Sequence, residues 1–63
     1  MRANSELRSL MRKRGLTFWM VAGWMFMSER HFRELMSEEL DKETKWAVLR
    51  AMACAEHEYF GSK

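Results

Sequence analysis

An all-α domain is what this sequence predicts, and three observations carry the prediction. Proline is absent. The β-branched residues that favour strands are sparse: Thr17, Val21, Thr44 and Val48, with no isoleucine. Leu, Met, Ala, Glu, Lys and Arg dominate, and all are good helix formers. At 63 residues the chain forms one domain, residues 1–63, and its 48% hydrophobic and 32% charged content suits a globular protein. A chain this short buries only about 60% of its unfolded surface, so its stability margin is thin. The expected architecture is a compact bundle of four short helices.

Each helix has its own signals. Asn4 or Ser5 can cap the first, in which Leu7, Leu10 and Met11 recur at helical spacing. Gly15 stops it, because glycine suits a left-handed C-terminal position. Arg8, Arg12, Lys13 and Arg14 are expected along its exposed side and last turn, where cations complement the helix dipole. Thr17 can cap a second helix, Phe18 to Met25. Ser28 can cap a third, with Glu29 in its first turn and Phe32, Leu35 and Met36 on one side. Asp41 can cap a fourth, running through Val48, Leu49, Met52, Ala53 and Tyr59 to end near Gly61. Trp46 lies early in it among charges and can be core or rim.

The second helix raises the functional question. At 100° per residue, Phe18, Val21, Ala22 and Met25 form one apolar stripe, enough to bury the helix. Met20, Gly23, Trp24 and Met27 form another on roughly the opposite side. A domain of this size has no further layer to cover that side. Either the fourth helix folds back over it, or the stripe is exposed and marks an interaction site. The apolar run from Phe18 to Met27 is about ten residues, half the roughly 20 that a bilayer span needs, so no membrane partner is expected.

The segments LRSLMRKRGLTFWMVA and SERHFRELMSEELDKETKWAVLRAM resemble the small helix-turn-helix DNA-binding domains of the phage-repressor type. The resemblance covers about residues 4 to 53. It is carried by Gly15-Leu16-Thr17 before helix two, Ala22 where helices two and three cross, and Ser28 and Phe32 at and inside the third helix. Glu39-Leu40 before the last helix complete it. It implies a bundle containing a helix-turn-helix, with helix three in the DNA major groove. Glu29, Arg30, His31 and Arg33 are then the base-reading positions, with Arg30 or Arg33 suited to guanine.

The surface departs from that family. Phe26 stands where the turn usually has glycine, so the turn is expected to differ. Met20, Gly23 and Trp24 stand where helix two is usually polar. Glu34, Ser37 and Glu38 stand where basic residues usually meet phosphates, and carboxylates there oppose DNA affinity. The leading expectation is therefore a protein-binding module, through Met20, Gly23, Trp24, Phe26, Met27, Arg30, His31 and Glu34. Aromatic, Met and Arg side chains of this kind are enriched at protein interfaces. An intact core beside an apolar surface is also what interface engineering on a DNA-binding scaffold produces. The alternative is a sequence-specific DNA-binding regulator whose apolar stripe is a homodimer seam.

Histidine is the side chain that switches charge near neutrality, so a partner contact at His31 would make binding pH-dependent. The single cysteine, Cys54, forms no internal disulfide, which fits a cytoplasmic protein if the chain is natural; an engineered chain has no native compartment. Cys54 and His57 are two ligands at most and make no metal site. No nucleophile–base–orienter set and no phosphate loop stand out, so neither enzyme activity nor a cofactor is expected.

Overall fold

The computed structural model describes residues 3–61. Four helices follow in order: α1 (Ser5–Lys13), α2 (Phe18–Trp24), α3 (Glu29–Leu35) and α4 (Lys42–Phe60). The described residues contain no strand. The radius of gyration is 11.0 Å, close to the ~10.6 Å of a compact globule of this length. The first three helices are short, but α4 has 19 residues and forms the spine of the bundle. Helix α2 packs on both α3 and α4, and α1 packs on α4.

The core takes Leu7 and Met11 from α1, Leu16 from the following turn, Val21 and Ala22 from α2, and Phe32 from α3. Met36 and Leu40 follow from the α3–α4 connection, and Val48, Ala51, Met52 and Ala55 from α4. The expected core side of α2 is therefore the core side, with Phe18 and Met25 half-buried at its ends. The Phe18 ring meets Phe32 edge to face, with centroids 5.2 Å apart. Helix α4 runs through Val48, Leu49, Met52, Ala53 and Tyr59 as expected. Val48 and Met52 are buried, but Ala53 and Tyr59 are exposed, and Ala51 and Ala55 take the inner places. Trp46 is exposed.

Two helix ends are built alike. Gly15, at φ 71°, closes α1: its N–H donates to the Arg12 carbonyl and the Leu16 N–H to the Met11 carbonyl. This is the paired hydrogen-bond pattern of a left-handed helix stop. Phe26, at φ 59°, closes α2 in the same way, with its N–H on Gly23 and the Met27 N–H on Ala22. The turn takes left-handed geometry although its residue is not glycine. The backbone bonds at the helix end decide the conformation, and the side chain tolerates it.

Of the expected caps, Ser28 accepts from the His31 N–H at 3.1 Å and Asp41 from the Thr44 N–H at 2.8 Å. Thr17 occupies the cap position of α2 without a side-chain cap bond. Asn4 also makes no cap bond to α1. Its side chain is buried and turned the other way. Nδ2 donates to the carbonyls of Met36 and Glu38, and Oδ1 accepts from the Leu40 N–H. Its own N–H donates to Glu39, which also pairs with Lys45 at 2.6 Å. Arg8 was expected on the exposed side of α1. Instead its guanidinium reaches the Met36 carbonyl at 3.0 Å and lies 5.7 Å from the Phe18 ring centroid. The start of the chain is thus stitched to the α3–α4 connection.

Candidate functional site

The candidate site begins with α2, which is apolar on nearly every side. Its inner side is consumed by the core. Its outer side runs beside the last turns of α4, because α4 is long enough to pass the core and continue along α2. There the Trp24 indole N–H donates to Glu58 Oε1 at 2.8 Å. One turn earlier Trp19 meets the Tyr59 ring edge to face at 5.4 Å. Between the two helices lies a groove of about 310 Å³ lined by Met20, Gly23, Trp24, Phe26, Glu58 and Tyr59. Other hollows lie along α1 (Ser5, Glu6, Ser9, Leu10 and Lys13) and at the end of α4 (Ala53, Glu56, His57, Phe60 and Gly61). Neither of those gathers more than one aromatic ring.

The predicted partner-binding residues divide in the structure. Phe26 is 91% exposed and Trp24 39% exposed. Gly23 is exposed and lies between them on the groove. Met20 and Met27 are half-buried and pack on the core, which corrects their reading as exposed anchors. The two differ in cause: Met20 lines the groove that α2 forms with α4, and the Met27 backbone is drawn back into the α2 stop. Arg30, His31 and Glu34 are exposed on α3. The groove itself gathers Met20, Gly23, Trp24 and Phe26, and the three α3 residues do not line it.

The alternative set of Glu29, Arg30, His31 and Arg33 is also exposed. Arg33 is 2.8 Å from Glu29, and Arg30 is 3.9 Å from Glu34. Each arginine thus faces a carboxylate one turn away on its own helix.

Two contributors, Trp19 and Glu58, escaped the sequence reading, whereas Tyr59 belongs to the alternative in which the fourth helix folds back over α2. Trp19, 50% exposed, sits about 40° round α2 from Gly23 at 100° per residue, so the helical phase had the signal to find it. Glu58 carries no such signal. Tyr59 lies one turn past the buried Ala55 and meets α2 at the ring of Trp19.

Two groove residues are unfavourable for the fold. A phenylalanine in the left-handed region costs roughly 1–2 kcal/mol relative to an ordinary conformation, and the exposed ring recovers little by burial. Gly23 sits inside a helix, where glycine costs roughly 0.5–1 kcal/mol relative to alanine. A Cβ added there would meet nothing within 4 Å, so no neighbour requires its absence.

Among the described residues no group of three or more His, Cys, Asp or Glu side chains is placed to hold a metal ion. No helix among them is long and apolar enough to cross a membrane. No protein-family model, curated protein or solved structure matches this chain.

Proposed function

We propose that this chain is a protein-binding module, with α2, the turn and α3 serving as a helix-turn-helix scaffold. The partner lies across the outer side of α2. Trp24 and Phe26 are its apolar anchors, Gly23 is the point of close approach, and Arg30, His31 and Glu34 form a polar rim. The observation that carries this reading is the pairing of Gly23 with Phe26. Each lowers stability, neither is required by a packed neighbour, and both line one groove. Backbone strain at Phe26 beside an unfilled helix position at Gly23, neither with a folding benefit, supports a functional surface there. An aromatic surface on α2 over an intact core also supports an origin as an engineered binder, with DNA binding lost.

Nucleic-acid binding is the weaker reading. The two arginines best placed to read bases are each paired with a carboxylate on α3, which opposes the phosphate attraction that dominates DNA affinity.

Panning a displayed peptide library tests the proposal, using the wild-type chain against the double variant Gly23→Ala/Phe26→Gly. The variant is expected to fold at least as well, so lost binding reports lost contact. Recovered ligands should bind the wild type about tenfold or more tightly over the variant, a difference of about 1.4 kcal/mol. Ligands that bind both equally would remove the reading. Random-sequence duplex DNA gives the opposing arm. Salt-sensitive binding that disappears with Arg30→Ala or Arg33→Ala would replace protein binding with DNA binding.

A further inference from the structure

The groove between α2 and the end of α4 has a chemistry of its own, beyond being apolar. Three aromatic side chains, Trp24, Phe26 and Tyr59, share it with one carboxylate, Glu58, and among the described residues no basic side chain lines it. The chain as a whole is basic, with 11 Lys and Arg against 9 Asp and Glu, so this negative, ring-lined spot runs against the average. Glu58 Oε1 is held by the Trp24 N–H. Its other oxygen accepts no hydrogen bond among the described residues, and a carboxylate has acceptor sites to spare. Aromatic faces attract cations, most strongly where a carboxylate adds its charge. At Gly23 the space that a side chain would fill is open, leaving room for an aliphatic stem against Met20.

We propose that this groove binds a lysine or arginine side chain of a partner protein, its stem along Met20 and Gly23 and its cationic head between Glu58 and the rings of Trp24, Phe26 and Tyr59. Such side chains have long apolar stems and charged heads, and so match a groove that is apolar along its length and negative at one wall. The inference rests on the protein-binding reading above and names the chemistry that the groove selects.

Two small probes of like shape test it: n-butylguanidinium, and its uncharged analogue n-butylurea. The readout is the Trp24 indole N–H resonance, which reports directly on the bond to Glu58. The guanidinium should shift this resonance saturably and bind about fivefold more tightly than the urea, the factor expected of an exposed cation–π contact with a weak ion pair. Glu58→Gln keeps an oxygen for the Trp24 N–H while removing the charge, and should erase that preference. Equal binding of the two probes would overturn the inference, as would an unchanged preference in Glu58→Gln or no shift with either probe. None of these results touches the comparison of Gly23→Ala/Phe26→Gly with wild type, so failure here remains distinct from failure of the protein-binding reading.

Discussion

Asn4 and Phe26 share a left-handed backbone conformation for opposite reasons, with φ 57° and 59°. Asparagine tolerates that region well, and here it is bound into the structure by its side chain, which is only 2% exposed. Replacement by aspartate keeps the acceptor for Leu40 but turns the donor facing two carbonyls into a second acceptor. Asn4→Asp should lower stability by about 2–3 kcal/mol in chemical denaturation, the scale of a buried polar network broken at one member. A loss below about 0.5 kcal/mol would mean that the stitch is dispensable. Phe26 has no comparable tie. Phe26→Gly should raise stability by about 1 kcal/mol and the melting temperature by about 4–8 °C. A fall in melting temperature would show that the ring stabilises the fold after all.

At the scale of elements, the helix starts are unequal. Ser28 accepts a hydrogen bond from the first turn of α3, whereas Thr17 makes no such bond to α2. Ser28→Ala should therefore cost about 1 kcal/mol, and Thr17→Ala should cost less than half of that. Equal losses in matched denaturant titrations would contradict the distinction. The helix stops show the same division between legible and hidden. Gly15 announced its stop through its residue type. The stop before Phe26 was legible in place but not in geometry, because a bulky residue gives no sign of left-handed backbone. The stop forms there because the N–H groups of Phe26 and Met27 both find carbonyls on α2.

Across the molecule, one small polar cluster joins the start of the chain, the α3–α4 connection and the start of α4. Lys45, then the Asn4 N–H, holds Glu39 below the usual carboxylate range. The Thr44 side chain, then its N–H, does the same for Asp41. The Glu39 hydrogen bond pushes Lys45 upward. In the unfolded chain both carboxyls titrate at ordinary values, near pH 4. The folded state therefore holds their protons less tightly, and their contribution to stability is present above about pH 4 and is lost as pH falls through and below it. The Lys45 contribution persists through neutral pH and is lost only as pH rises past the ordinary lysine range. Thermal melts from pH 7 to pH 3 should show a drop that is shallower in Glu39→Gln. Identical profiles for the two proteins would exclude Glu39 as a source of acid sensitivity.

By itself the sequence determined the helical class, the four helices in order, the caps at Ser28 and Asp41, the inner side of α2 and the stop at Gly15. These follow from residue type and a period of 3.6, both local properties. Part of the candidate site was equally local: Gly23 and Trp24 stood out on a second apolar stripe at helical spacing, whereas Phe26 stood out only through the family resemblance, at a position where glycine was expected. Tertiary structure alone decided that Asn4 reaches the α3–α4 connection, that Met20 leans on the core, and that Glu58 and Tyr59 complete the groove. Each of those depends on where a distant segment arrives. The length of α4 relative to the core sets that arrival, and no spacing within α2 encodes it.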